Sequence, residues 1–186
     1  MRMRKNSRTI AEVSVFSAII IVLQLIATFI KIGSFNVNLT LIPIIVAGCV
    51  YGEAIGTLMG LVSATIIVIT VITGGDPSGA TMFAYNPIAT ILAVYIKGAA
   101  SGFIPSYIYK VVEKKNNKLA VMLSALSCPI VNTLVFTIFL LLFFDTPIKA
   151  LIGLFLTTNF IIELGLNLLI APKLTGLIKH NKERYM

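Results

Sequence analysis

The 186-residue sequence holds no tryptophan, one histidine, two cysteines and only seven acidic residues. Each scarcity closes off a class of function. Without tryptophan, a flat ring bound here has to stack on phenylalanine or tyrosine. The single histidine, His180, stands in a charged tail and reads as solvated rather than catalytic. Cys49 and Cys128 lie inside apolar runs without metal-ligand spacing, so they read as packing residues and no metal site is expected. There is no Gly-x4-Gly-Lys-Ser/Thr loop to cradle a nucleotide phosphate, no His-Glu-x-x-His pair and no paired aspartates inside the apolar runs. Neither an enzyme nor a cofactor is therefore expected. Any uphill transport needs an ion gradient or an energised partner, and nothing points to the inverted repeats of self-sufficient carriers.

Apolar length is what the chain has in abundance. Hydrophobic residues make up 58% of it, and its mean hydropathy is +0.98, far outside the range of soluble domains. The net charge of +8 does not point to nucleic acid, because the basic residues flank apolar runs instead of forming a binding stripe. Arg2, Arg4, Lys5 and Arg8 precede the first run. Lys110, Lys114, Lys115 and Lys118 divide two runs in mid-chain, and Lys173, Lys179, Lys182 and Arg184 follow the last.

Six apolar segments put all three clusters on one side of a bilayer, leaving only Lys31 and Lys149 in the opposite loops. Positive charge stays cytoplasmic during insertion, so both termini are expected inside, where the clusters also meet anionic lipid headgroups. The expected architecture is an all-α integral membrane protein of the cell membrane, with residues 1–186 forming one six-helix domain. The segments run roughly from Thr9 to Ile30, Leu39 to Tyr51, Ala54 to Thr73, Ala89 to Val112, Leu119 to Phe144 and Ala150 to Ile170. Ala171-Pro172-Lys173 marks the last exit. The first run is too long for the apolar part of a cleavable signal and lacks a small-residue cleavage site. The second is short for a span of about 20 residues; it either extends outward through Phe35 to Asn38 or is a tilted helix shielded by its neighbours.

Small residues recur every fourth position at Gly48, Gly52, Gly56 and Gly60, an interval that lets helices approach closely in lipid. Gly52-Glu53 reads as a tight turn, so the ladder need not form one face. Ser14 and Ala18 form a second pair, fit either for packing in the bundle or for docking a partner helix. The longest loop, between Thr73 and Ala89, is expected outside, with Phe83, Tyr85 and Asn86 available to a ligand. The loop from Lys31 to Asn38 adds Phe35, Asn36 and Asn38.

Charged and amide groups inside the apolar segments are costly unless they meet a partner, a cavity or a substrate. Lys97 lies about 20 Å along a helix from Lys110 at about 1.5 Å per residue, and Glu163 about 15 Å from Lys173. Asn132 and Thr133 add polar groups to the fifth segment. Asn159, Glu163 and Asn167 are spaced four apart and share one helical face. Two readings stand. Lys97 and Glu163 form an internal ion pair, or they line an outward-opening pocket in which Lys97 meets an anionic group.

Size, segment count and local patterns together resemble the substrate-binding S components of energy-coupling factor (ECF) vitamin transporters. Ser14-Val15-Phe16-Ser17-Ala18 is similar to the Ala-x-x-x-Ala pattern of that family's first helix, with serine at the first small position. Leu41-Ile42-Pro43-Ile44-Ile45-Val46-Ala47-Gly48, followed by Tyr51-Gly52, Gly56 and Gly60, resembles its second and third helices. Lys97 stands where related chains often carry a basic residue, Asn132-Thr133 resembles an Asn-Thr on the fifth helix, and Asn159 with Glu163 resembles a polar pair on the sixth.

The resemblance implies a vitamin-capturing subunit that works with a coupling transmembrane subunit and two cytoplasmic ATPases. It implies ligand contacts from Lys97, Asn132, Asn159 and Glu163, with Asn36, Phe83, Tyr85 and Asn86 in the outer loops, and docking through Ser14 and Ala18. A lone lysine suits a small carboxylate, and the pattern is most similar to the pantothenate branch; riboflavin, cobalamin, folate and pyridoxine-type compounds are the other candidates. A stand-alone proton- or sodium-coupled carrier, using Glu163, is the alternative.

Overall fold

A computed structural model describes the backbone of residues 2–27, 31–32, 35–36 and 38–184, and the side chains of residues 10–27, 38–145 and 160–180. Asn36 and Asn159 have side chains outside the described residues. Seven helices are present among the described residues: α1 (Arg2–Ala27), α2 (Leu41–Tyr51), α3 (Glu53–Ile72), α4 (Pro77–Tyr85), α5 (Pro87–Val112), α6 (Asn117–Phe143) and α7 (Thr146–Arg184). Two-residue strands β1 (Lys31–Ile32) and β2 (Phe35–Asn36) pair antiparallel between α1 and α2. Apart from this small hairpin the described elements are all helices, as expected.

Among the described residues, five stretches are long and apolar enough to cross a membrane: Ile10–Ala27, Glu53–Ile72, Pro87–Val112, Asn117–Phe143 and Phe160–His180. Helix α2, with 11 residues, is not. It does not lengthen outward, since Phe35 and Asn36 belong to the small hairpin. Instead every residue from Leu41 to Cys49 is buried, packed against α3, α5 and α7. A helix wrapped on all sides needs no lipid-matching length.

The glycine ladder explains how the helices come so close. Gly52 has a φ of 94° and breaks the chain between α2 and α3, a conformation glycine adopts without the Cβ penalty. The turn folds Gly56 back onto Gly48, so that a Cβ on Gly56 would lie 3.0 Å from the Gly48 Cα. On the other side α3 meets α5 backbone to backbone. A Cβ on Gly60 would lie 2.0 Å from the Gly98 carbonyl oxygen, and one on Gly102 would lie 2.1 Å from that of Gly56. The ladder thus packs two helices onto a third and does not form one straight stripe.

Three helices contain an internal proline, each of which deprives the carbonyl four residues earlier of its helical donor. For Pro105 that carbonyl belongs to Ser101, and the Cys128 thiol of α6 donates to it at 3.3 Å. Ser124 of α6 donates to the Pro105 carbonyl itself at 2.7 Å. Both cysteines are free and buried, and Cys128 has a definite structural partner.

Two expectations are corrected. The Thr73–Ala89 loop contains helix α4. Asp76-Pro77 and Asn86-Pro87 are each a capping residue followed by a proline with helical φ, and each pair starts a helix. Pro172 does not end the last segment, because α7 runs on to Arg184; the proline costs one hydrogen bond, and packing of Ala171, Thr175 and Ile178 keeps the helix going.

The end of the bundle away from α4 carries an ionic layer. Lys110 of α5 pairs with Glu53 at the start of α3. Lys179 of α7 pairs with Glu113 at 3.1 Å, contacts the Tyr109 hydroxyl and sits 4.6 Å from the centre of that ring. The mid-chain and C-terminal basic clusters therefore meet at one end.

Candidate functional site

Near the α4 end, helices α1 and α3 to α7, together with the segment before α2, enclose a cavity of ≈ 90 Å³. Its walls are mostly apolar but carry several polar and charged side chains. Lys97 enters from α5, Asn132 and Thr133 from α6, Glu163 from α7, and Asp76 from the start of α4. Phe136 and Phe160 supply aromatic wall.

The Glu163 carboxylate is 6% exposed and held from several directions. It accepts the backbone N–H of Asn38 at 3.2 Å, and the side chain of Asn132 approaches it. Asn38 is itself fixed, since the Thr40 hydroxyl donates to its side-chain oxygen at 2.6 Å and Thr40 shares a 2.8 Å hydrogen bond with Ser63 of α3. One turn further along α7, the Asn167 amide donates to the Glu163 main-chain carbonyl at 2.7 Å. A buried carboxylate is tolerable only with such partners.

Lys97 is half-buried. Its ammonium lies 4.8 Å from the centre of the Phe136 ring, a favourable seat for a cation. It interacts electrostatically with both Glu163 and Asp76 across the cavity, but Lys97 with Glu163 is not among the ion pairs of the described residues. Both residues line one cavity, and no ion pair between them is present among the described residues.

The structure brings Lys97, Asn132 and Glu163 together and places other expected residues elsewhere. Phe83 is half-buried on α4, outside the cavity lining. Tyr85 is exposed; its phenol donates to Asp145, which holds its pKa above the ordinary range, and its ring tilts against Phe144. Asn86 caps α5 by accepting from the Ala89 N–H at 3.1 Å. Ser14 and Ala18 are exposed on α1.

Among the lining residues outside the sequence candidates, two carry an amide or a charge. Gln24 is an uncharged polar residue within the first apolar run, and the break from its neighbours was the available signal. Its side chain is 5% exposed, it lines the cavity, and its Oε1 has no hydrogen-bond partner among the described residues. Asp76 was read only as part of a loop.

A family model described as ECF transporter, substrate-specific component, matches residues 8–175. The chain belongs to this family. A search of curated proteins found no match. ECF S components are substrate-binding membrane subunits of transporters and are not an enzyme family, which accords with the membrane-length helices found here. In this S component the match spans every residue named in the cavity, from Gln24 to Glu163.

Proposed function

We propose that this S component captures a small water-soluble vitamin from outside the cell and delivers it for ATP-driven uptake through a coupling transmembrane subunit and two cytoplasmic ATPases. In this reading α2 is the sixth crossing and both termini are cytoplasmic. The meeting of the mid-chain and C-terminal basic clusters at the end opposite the cavity supports that orientation, because lysine-rich ends stay inside. Lys97 faces an anionic group of the ligand, Asn132 and Glu163 fix its polar groups, and Asn159, four residues before Glu163, joins them in this reading. Asn36, Phe83, Tyr85 and Asn86 belong to the outer layer over the cavity. Ser14 and Ala18 dock the coupling subunit.

The observation that carries this reading is the cavity with Lys97 and Glu163 on different helices, in a chain without a nucleotide-binding motif. Mass spectrometry of small molecules retained by the purified protein tests it. A retained vitamin is the expected result. Uptake by this chain alone, abolished by an uncoupler and indifferent to ATP, would instead assign it to proton- or sodium-coupled carriers working through Glu163.

A further inference from the structure

The end of the bundle away from the cavity holds more positive charge than the chain itself can neutralise. Phe16 of α1 packs on Tyr51 at the end of α2, so the basic start of α1 points to the same end as the Glu53–Lys110 and Glu113–Lys179 pairs. Twelve of the fifteen basic residues therefore stand at that end. Of the seven acidic residues, Asp76, Asp145 and Glu163 lie towards α4. Only Glu12, Glu53, Glu113 and Glu183 are left to meet the cations, which outnumber them by eight however the side chains pair.

Part of this excess has a definite place, the turn between α5 and α6. Lys114, Lys115 and Lys118 are exposed there, and the side chain of none of them forms an ion pair or hydrogen bond among the described residues. Glu53 and Glu113, the carboxylates of the ionic layer, are taken by Lys110 and Lys179. Leading up to the turn, Phe103, Tyr107 and Val111 of α5 form an exposed apolar stripe at four-residue spacing, the two rings stacked with centroids 6.0 Å apart. The stripe is about 12 Å long at about 1.5 Å per residue, close to the roughly 15 Å of hydrocarbon in one leaflet. Leu119 and Met122 are exposed beside it at the start of α6. An acidic protein segment would meet the lysines and leave the stripe unused. A phospholipid meets both at once.

We propose that the α5–α6 turn binds an anionic phospholipid, with the headgroup at Lys114, Lys115 and Lys118 and an acyl chain along Phe103, Tyr107 and Val111. Lysines just outside a membrane span attract anionic headgroups, and the attraction fades within a Debye length. The subunit is then stabilised by anionic lipid whether or not a vitamin fills its cavity.

The test uses the full chain purified in detergent. Native mass spectrometry counts the lipids retained from an equimolar mixture of phosphatidylglycerol, phosphatidylethanolamine and phosphatidylcholine, and thermal shift follows each lipid added singly. Phosphatidylglycerol should be retained in preference and raise the melting temperature. Glycerol phosphate, which has no acyl chain, should not raise it. Replacing Lys114, Lys115 and Lys118 together by glutamine should lower the preference for phosphatidylglycerol over phosphatidylcholine about tenfold to a hundredfold. Arginine at the same three positions should keep it. Replacing Arg2, Arg4 and Lys5 by glutamine removes as much charge from the same end and should leave the preference nearly unchanged.

No preference in the unaltered chain overturns the inference. An undiminished preference in the Lys114, Lys115 and Lys118 glutamine variant does so too, and leaves those lysines for an acidic surface of a partner subunit. Equal losses in the two glutamine variants would mean that net charge draws lipid without a site. A thermal shift as large with glycerol phosphate would assign the lysines to a free phosphate. No vitamin enters the measurement, so each of these outcomes leaves the capture reading standing.

Discussion

Lys97 and Gly60 show how differently single residues matter in this bundle. Lys97 faces a cavity, so its removal should be felt by a ligand more than by the fold. Lys97→Ala should weaken binding of the anion-bearing ligand by about 1–3 kcal/mol, the cost of leaving a charged group without its partner in a desolvated site. Calorimetry on folded protein reads this directly, and unchanged affinity would remove Lys97 from the site. Gly60 touches no cavity, but a Cβ there would drive into the Gly98 carbonyl at 2.0 Å. Backbone cannot retreat as a flexible side chain can. Gly60→Ala should therefore destabilise the protein by about 1–3 kcal/mol through overpacking, seen as a lower unfolding midpoint in detergent. An unaltered midpoint would mean that α3 and α5 stand further apart than described. Charges such as Lys97 and Glu163 were legible in the sequence because they interrupt long apolar runs. Gln24 carries no charge and Asp76 sat among glycines and prolines, so neither disclosed that it faced the same space.

At the scale of elements, apolar length marked most helices to within a few residues, and the two errors run in opposite senses. Helix α4 is short and built from Pro, Ser, Gly, Ala and Thr, a composition that reads as loop. Its start depends on the Asp76-Pro77 pair, a local signal that hydropathy does not register. The continuation of α7 through Pro172 failed in the opposite sense: a local breaker was overridden by tertiary packing. Helix α1 offers a different test, because Phe16 and Ile20 are buried while Ser14 and Ala18 are exposed. If the exposed stripe docks a partner helix, only a small side chain at position 18 permits close approach. Ala18→Trp should then spare ligand affinity and block uptake in cells that hold the complete transporter. Equal loss of affinity and uptake would return this stripe to a role inside the subunit.

For the whole molecule, the decisive property is which end faces which side. The cavity and α4 occupy one end of α5, and the Glu53–Lys110 and Glu113–Lys179 pairs occupy the other. In the proposed orientation, set by the lysine and arginine bias, the ionic layer lies in the cytoplasm and the cavity faces outside. Cysteine labelling can settle this with little background, since Cys49 is 5% exposed and Cys128 is 0% exposed. Thr81 on α4 and Lys114 after α5 are both exposed and serve as the two reporters. In intact cells a membrane-impermeant thiol reagent should modify Thr81→Cys at once and Lys114→Cys only after permeabilisation. The reverse pattern would turn the cavity towards the cytoplasm, where an importer has no ligand to capture. Modification of both from outside would mean that α5 does not cross the bilayer, so an even number of crossings could no longer separate the basic clusters.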